Sequence, residues 1–133
     1  MNVRILDIGQ CGFEHAAIVD FLQRAVAASV DSAATGAEAE KLVRQNTYDL
    51  VLVNRIFDGD GASGITLIQQ LRKIPTCPPV MLVSNLSDAQ AAAIAAGAVQ
   101  GFGKAGIHLP QTAEHVREVL AGGAAPPVPG SER

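Results

Sequence analysis

The chain has 133 residues, of which 48% are apolar and 17% are charged, and this length and balance are those of one globular domain. A net charge of −3 without a basic stripe argues against a nucleic-acid-binding protein, because neutralising phosphates supplies most of the affinity of such proteins. Two cysteines outside any CxxC pair argue against a disulfide scaffold and favour a cytoplasmic setting. The sequence shows neither a signal-peptide pattern nor a long apolar run, so we expect neither secretion nor membrane association.

Apolar runs that predict β-strands alternate with amphipathic runs that predict α-helices along most of the chain. The strands are expected at residues 3–8, 29–34, 48–53, 80–84 and 99–104. The helices are expected at residues 13–28, 36–45, 65–73, 88–96 and 111–120. Thr35 and Glu38 form a capping-box pattern at the start of the second helix. Residues 122–133 show no periodicity and are interpreted as a flexible C-terminal tail, which leaves residues 1–121 as the domain.

This order predicts an α/β fold, namely a single doubly wound (βα)5 domain with a parallel five-stranded sheet of order 2-1-3-4-5. The run at residues 48–53, YDLVLV, is apolar on both faces, which is typical of a central parallel strand. In this topology a ligand binds in the crevice at the carboxyl ends of the first and third strands, where the winding reverses. Those ends are residues 9–11 and Asn54 with Arg55.

Four segments of this pattern resemble the receiver domain of two-component response regulators, and the resemblance covers the chain from about residue 3 to residue 120. The segments are YDLVLVN, DGASGITLIQQLR, PPVMLVSN and AAGAVQGFGKAG. The resemblance implies a receiver-like, flavodoxin-like fold and a role in signal transduction. It also implies a pocket in which an aspartate accepts a phosphoryl group beside a bound Mg²⁺.

The residues that carry this chemistry in the family are largely replaced here. Asn54 stands where the resemblance places the phosphoacceptor aspartate, and a neutral amide is a far weaker nucleophile than a carboxylate. Gly9 and Gln10 stand where it places the acidic pair that holds Mg²⁺, a cation usually bound through carboxylates. We therefore expect no cofactor, with Mg²⁺ binding weak or absent. The acidic residues that could substitute are Asp7, Asp58 and Asp60.

Two polar residues of the family's pocket remain, Ser84 at the end of the fourth strand and Lys104 at the end of the fifth. Without a phosphoryl group the Lys104 ammonium needs another anion, or else solvent. The candidates for an internal ion pair are Asp7, Asp58 and Asp60, and a bound anionic ligand is the alternative. Asn54 is expected either to hydrogen-bond to Ser84 or Lys104, or to be a satisfied amide at a vestigial site.

The surroundings of these two residues also depart from the family. Asn85 and Ala105 stand where alanine and a cis-proline are usual, so we expect a trans peptide bond before Ala105 and a shifted loop. Gly101 stands at the position of the family's switch aromatic. Phe102 comes one residue later, which in a strand means the opposite face. The hydroxyl–aromatic switch of the family is therefore expected to be absent.

Two loops contain residues typical of metal ligands. The run FDGDGASG, with Asp58 and Asp60, is similar to the start of a calcium loop, but Gln69 stands where the loop needs glutamate, which favours a flexible polar loop. The run GQCGFEH places Cys11 four residues before His15, a spacing that occurs in metal sites, but only two ligands are local. A structural cysteine and a histidine at a helix N-terminus are the simpler interpretation.

Together these observations predict an atypical receiver-like signalling domain that is not an enzyme and acts by phosphorylation-independent protein–protein interaction. The partner is expected in trans, either another protein or a second copy in a weak homodimer through the fourth helix, fifth strand and fifth helix, the family's common docking face. That face is expected to carry Asp88, Gln90, Gln100, His108, Glu114, His115, Arg117 and Glu118. The alternatives are a receiver with residual or relocated Mg²⁺-dependent aspartyl phosphorylation, and a module that senses a small anion at Lys104 and the rim formed by residues 9–11.

Overall fold

The structure is a computed structural model that describes residues 2–122, in which five β-strands alternate with five α-helices. The strands are β1 (Arg4–Ile8), β2 (Ser29–Ala33), β3 (Leu50–Asn54), β4 (Val80–Val83) and β5 (Val99–Phe102). The helices are α1 (Gly12–Val26), α2 (Gly36–Gln45), α3 (Gly64–Leu71), α4 (Ser87–Ala95) and α5 (Pro110–Leu120). A short 3-10 turn (Lys104–Gly106) precedes α5. Apart from Gly122, the tail proposed at residues 122–133 lies outside the described residues.

All neighbouring strands are parallel, and their order is β2-β1-β3-β4-β5, which confirms the predicted doubly wound α/β fold. Helices α1 and α5 pack on one face of the sheet, and α2, α3 and α4 pack on the other. Strand β3 is buried on both sides: Leu50 and Leu52 face α1 and α5, whereas Val51 and Val53 face the other helices. The carboxyl ends of β1, β3 and β4 therefore meet at one edge of the sheet.

Side-chain caps position the first turns of α1, α2 and α3 at this carboxyl edge. The predicted capping box forms in α2, where the Thr35 hydroxyl accepts a hydrogen bond from the Glu38 amide at 3.2 Å. The Glu38 carboxylate in turn accepts one from the Ala34 amide at 3.0 Å. Helix α1 is capped by a thiol, because Cys11 Sγ lies 3.4 Å from the Glu14 amide. This cap fixes the first turn of α1 directly beside the end of β1.

Strand β5 pairs with β4 through an irregular register. Met81 pairs with Val99, but Val83 pairs with Phe102, so β5 contains one more residue than β4 between the two pairs. The extra residue lets the Phe102 ring pack among the side chains under α1 and α5, where its centroid lies 5.6 Å from that of Phe21. The position of Phe102 is therefore set by a bulge rather than by simple alternation.

The side chain of Gln90 fills the gap that this bulge leaves in the hydrogen bonding of the sheet. Gln90 Nε2 donates to the carbonyls of Leu82 and Ser84, at 2.9 and 3.1 Å, and Gln90 Oε1 accepts from the Gly101 amide at 3.1 Å. A Cβ at Gly101 would lie 2.1 Å from the Leu82 carbonyl oxygen, so the bulge requires glycine there. Gln90 is only 8% exposed, and its expected place on a docking surface is wrong because its amide is used inside the sheet.

Candidate functional site

A cavity of about 360 Å³ lies at the carboxyl edge of the sheet, between the ends of β3, β4 and β5 and the first turn of α1. Asn54, Ser84 and Lys104, which the resemblance placed in one pocket, all line it. Gly9 contributes its carbonyl group to this cluster, because it accepts a hydrogen bond from the Asn54 amide. Gln10, by contrast, lines a separate cavity of about 130 Å³ beside β2. The predicted pocket is thus brought together except for Gln10.

The amide of Asn54 is fully engaged by the backbone around it. Asn54 Nδ2 donates to the carbonyl of Gly9 at 3.0 Å and to that of Ile56 at 2.7 Å. Of the two expectations for Asn54, these contacts agree with a satisfied amide and not with a bond to Ser84 or Lys104. The carbonyl groups of Gly9 and Ile56 can only accept hydrogen bonds, and so can a carboxylate. An aspartate at this position would therefore place an oxygen where the two carbonyls now receive an N–H donor. The local backbone is therefore arranged for an amide donor at residue 54.

Lys104 forms an ion pair with Glu14. Its ammonium Nζ lies 2.7 Å from Glu14 Oε1, and the two side chains are 28% and 38% exposed. The prediction that Asp7, Asp58 or Asp60 pairs with Lys104 is wrong. The first turn of α1 instead places the Glu14 carboxylate over the end of β5. Glu14 was not among the partners expected for Lys104 from the sequence. The lysine charge in the cavity is thus neutralised from within the chain.

Phe57 occupies the space next to Gly9, where the resemblance places an acidic side chain. The Phe57 ring is 2% exposed, and a Cβ at Gly9 would lie 2.3 Å from its Cδ1 atom. Gly9 also has a φ of +83°, a conformation that favours glycine. The loop holds the ring there through the Asp58 amide, which donates to the Gly9 carbonyl at 2.9 Å. An apolar ring therefore fills the room that a metal-binding carboxylate at residue 9 would need.

The acidic residues proposed as substitutes do not gather at this cavity. Asp58 and Asp60 lie exposed in the loop after β3, and Asp60 Oδ1 accepts a hydrogen bond from the Ala62 amide at 3.0 Å. Within residues 2–122 there is no cluster of three or more histidine, cysteine, aspartate or glutamate side chains placed to hold a metal ion. Cys11 caps α1 and His15 bonds to Asp7, which agrees with the simpler of their two interpretations.

Asp7 is buried on the opposite side of β1, under α1. It is 1% exposed, and its Oδ2 atom lies 2.6 Å from Nδ1 of His15. Burial raises the pKa of the Asp7 carboxyl above its ordinary value, while the hydrogen bond and charge of His15 act in the other direction. The cavity of about 130 Å³ beside this pair is lined by Gln10, Gly12 and Ser32 among others. Asp7 is therefore a buried, paired carboxyl and not part of the Asn54 cavity.

The loops after β4 and β5 are joined by an asparagine. Asn85 Oδ1 accepts a hydrogen bond from the Ala105 amide at 3.1 Å, and the peptide bond before Ala105 is trans, as predicted. A Cβ at Gly103 would lie 1.7 Å from Asn85 Oδ1, so this contact requires glycine. The Ser84 hydroxyl accepts a bond from the Leu86 amide at 3.1 Å. Both loops are thus fixed by local contacts that need neither a cis-proline nor a bound phosphoryl group.

Comparison with known proteins agrees with this architecture. The model of the response regulator receiver domain matches residues 14–107. The structure is similar to a two-component response regulator from Clostridium difficile, with 25% identity, a TM-score of 0.74, and coverage of 90% of this chain and 96% of that chain. A response regulator from Thermotoga maritima is 22% identical, with a TM-score of 0.74 and coverage of 91% and 99%. The signal receiver domain of a histidine kinase from Syntrophus aciditrophicus is 20% identical, with a TM-score of 0.71 and coverage of 93% and 94%.

Curated protein sequences gave no match. None of the helices in the described part of the chain is long and apolar enough to cross a membrane. The matched residues of the family model nevertheless make up more than half of the chain, and they run from the first turn of α1 to the start of the loop before α5. This protein therefore belongs to the family of response regulator receiver domains, which are signalling modules.

Proposed function

We propose that this receiver domain signals by protein–protein interaction, is not an enzyme and does not use aspartyl phosphorylation. The observation that carries the proposal is the ion pair between Lys104 and Glu14, with 2.7 Å between Nζ and Oε1. Lys104 is the residue that the resemblance assigns to the phosphoryl group. Here the charge of Lys104 is paired with a carboxylate of the same chain, so the lysine has an anionic partner without any modification.

Two further features support the proposal. Residue 54 offers an amide whose N–H groups are both engaged, and an amide does not attack a phosphodonor. The side of the pocket next to Gly9 is filled by the Phe57 ring, which provides no ligand for Mg²⁺. The nucleophile of the family's pocket is thus replaced by the engaged amide of Asn54, and the Mg²⁺ site by the ring of Phe57. The lysine that would contact the phosphoryl group is instead paired with Glu14.

The two alternatives have less support in the geometry. Asp7 is 1% exposed and bonded to His15, which keeps it from a phosphodonor. Asp58 and Asp60 lie in an exposed loop without a neighbouring cluster of metal ligands among residues 2–122. A small anion at Lys104 would first have to displace the Glu14 carboxylate.

The test is a chemical-shift titration of the full chain with Mg²⁺ and then beryllofluoride, an analogue of the phosphoryl group. The reporters are the amides of Gly9, Asn54, Ser84 and Lys104. We expect no saturable shifts at millimolar Mg²⁺, and none on addition of beryllofluoride. An Asn54→Asp variant is the matched comparison, and we expect it to remain unresponsive because Glu14 and Phe57 are unchanged. Saturable shifts centred on these residues in the unmodified chain would refute the proposal.

The face formed by α4, β5 and α5 is the proposed docking surface for a partner in trans, including a second copy in a weak homodimer. Its exposed residues carry charges of both signs, and they are Asp88, Gln100, His108, Glu114, Arg117 and Glu118. His115 Nε2 lies 2.6 Å from the Gln100 carbonyl oxygen and ties α5 to β5. A recess of about 580 Å³ on this face is lined by small or uncharged residues such as Ala91, Gly103 and Ala105.

A polar surface of mixed charge favours weak and reversible contacts rather than an obligate dimer. Amide spectra recorded at increasing protein concentration test this expectation. We expect small, fast-exchange shifts that are confined to α4, β5 and α5. Shifts confined to α1 and α2 would place self-association elsewhere and refute this part of the proposal.

A further inference from the structure

The small cavity on the β2 side of the first turn of α1 collects the unpartnered polar atoms of the protein interior. It has a volume of about 130 Å³ and shares no lining residue with the Asn54 cavity. Within residues 2–122, the buried side-chain nitrogen and oxygen atoms without a hydrogen-bond partner are Oδ1 of Asp7 and both Nε2 and Oε1 of Gln10. Asp7 and Gln10 both line this one cavity.

The two oxygens of the Asp7 carboxyl have different surroundings. Oδ2 lies 2.6 Å from Nδ1 of His15, and this contact fixes the carboxyl under α1. Oδ1 has no partner, although Asp7 is only 1% exposed. Buried polar atoms in folded proteins are nearly always hydrogen-bonded, because leaving them unpaired costs free energy. The free oxygen of Asp7 therefore calls for a donor that lies in the cavity.

The Gln10 side chain brings a donor and an acceptor to the same cavity. Burial raises the pKa of Asp7 and the nearby Gln10 amide acts against this rise, yet the geometry forms no hydrogen bond between the two side chains. The Nε2 group of an amide donates and the Oε1 atom accepts. With Oδ1 of Asp7, the cavity thus presents two oxygen acceptors and one N–H donor.

The charges around the cavity disfavour an ion of either sign. Apart from Asp7 and His15, the residues that line it are uncharged. The free oxygen of the carboxyl repels an anion. Helix α1 begins at Gly12 in the cavity wall, and the partial positive charge at a helix N-terminus disfavours a cation. Because burial of an unpaired charge is costly, a neutral ligand suits the cavity best.

The size of the cavity narrows the class of ligand further. One water takes up about 30 Å³ in the liquid, so the cavity corresponds to about four waters. Acetamide and urea each have four non-hydrogen atoms, and both carry N–H donors and a carbonyl acceptor on one carbon. Ser32 and Ala34 line the cavity and are exposed, so it opens to solvent at the end of β2.

We propose that this cavity binds a small neutral molecule that carries a primary amide or urea group. The N–H groups of the ligand donate to Oδ1 of Asp7 and Oε1 of Gln10, and its carbonyl accepts from Nε2 of Gln10. Every unpartnered buried atom of the cavity then has a partner. The inference goes beyond the proposed function and does not rest on it, because the two cavities have no residue in common.

The test is an NMR titration of the full chain with acetamide. The reporters are the backbone amides of Gly12, Ser32 and Ala34 and the side-chain NH₂ group of Gln10. The limit on binding energy per atom allows a four-atom ligand a Kd no lower than about 0.04 mM, and we expect saturable shifts with a Kd of about 1 to 10 mM. Acetate and guanidinium have the same number of non-hydrogen atoms but carry a charge. We expect neither of them to produce saturable shifts at these residues.

Two variants remove the proposed site, and a third is the control. Gln10→Leu keeps a side chain of similar size without its donor and acceptor, and it should weaken acetamide binding at least roughly tenfold. Ala34→Leu narrows the mouth of the cavity and should also weaken binding, so it decides the question if Gln10→Leu does not fold. Gln23→Leu changes an exposed glutamine of α1 outside the cavity, and binding should then be unchanged.

The inference is overturned if acetamide gives no saturable shifts up to about 100 mM, because the polar atoms would then be satisfied by water or by each other. It is also overturned if Gln10→Leu binds acetamide as tightly as the unmodified chain. Binding of acetate or guanidinium that equals that of acetamide would contradict the assigned ligand class. None of these results changes the expected response to beryllofluoride, so this failure and a failure of the proposed function are distinguishable.

Discussion

The replacement of Glu14 by glutamine removes the ion pair with Lys104 and changes the shape of the side chain little. The pair joins side chains that are 28% and 38% exposed, at a distance of 2.7 Å. Exposed ion pairs contribute about 0.2 to 1 kcal/mol, whereas hydrogen bonds to charged groups contribute about 1.5 to 3 kcal/mol. A half-buried pair with this geometry falls between these ranges, so Glu14→Gln is expected to lower the free energy of unfolding by about 1 to 2 kcal/mol. For a chain of this size that is a fall in Tm of about 3 to 8 °C.

Part of this loss comes from the helix rather than from the ion pair, because Glu14 lies in the first turn of α1, where a negative charge is favourable by itself. A double-mutant cycle with Lys104→Met separates the two effects. Urea denaturation of the two single variants and the double variant is expected to give a coupling energy of about 1 kcal/mol. The exposed pair between Asp20 and Arg24 on the same helix is the matched control, and Asp20→Asn should cost less than about 0.5 kcal/mol. A coupling energy of zero would show that Glu14 does not hold Lys104 in solution.

Three other parts of the structure give predictions that can be measured independently. Phe57→Ala should destabilise the fold by about 3 to 5 kcal/mol in urea denaturation, because it empties a buried site. Gly9→Ala should also be destabilising, and the double variant should cost less than the sum of the two, since the new Cβ would no longer meet the ring; strict additivity would contradict the proposed contact. Gln90→Met keeps the side-chain length but removes three hydrogen bonds, so it should cost about 2 to 4 kcal/mol, whereas the same change at the exposed Gln70 should be nearly neutral. Burial and a hydrogen bond to a carboxylate raise the pKa of Tyr48 from 10.0 to about 12. The folded state therefore binds this proton more tightly than the unfolded state, and the corresponding stability is present below pH 10.0 and lost as the pH rises towards about 12. Tyr48 is the single tyrosine in a chain without tryptophan, so tyrosinate absorbance follows it directly, and a midpoint near its ordinary value would disprove the shift.

The fold followed from the sequence because alternating strand and helix periods at this spacing leave few other topologies. The observed ends of the strands differ from the predicted ones where side chains form hydrogen bonds with backbone groups. Strand β3 begins at Leu50 rather than at residue 48, because the Asp49 carboxylate accepts a hydrogen bond from the Arg4 amide at 2.9 Å and bends the chain there. Strand β5 ends at Phe102 rather than at residue 104, and the Ala105 amide of the following turn donates to Asn85. Periodicity carries no information about such contacts.

The candidate site was predictable only where it depends on the ends of strands. Asn54, Ser84 and Lys104 meet because parallel strands end at one edge of the sheet. Glu14 and Lys104 are separated by 90 residues, and their contact depends on the direction of a side chain in the first turn of α1. The place of Phe57 depends on the path of the loop after β3, which neither helical nor strand periodicity describes. The sequence indicates this packing only indirectly, because residue 9 is a glycine and the loop after β3 contains the aromatic residue Phe57.

The packing of Phe57 against Gly9 also limits the order in which substitutions could connect this chain with a metal-binding relative. An acidic side chain at residue 9 meets the ring at once, so it is not accommodated while Phe57 is present. Removal of the ring first leaves a cavity, and the fold must tolerate that loss before any acid can be gained. Each single substitution is therefore destabilising by itself, so Gly9 and Phe57 each disfavour a change of the other.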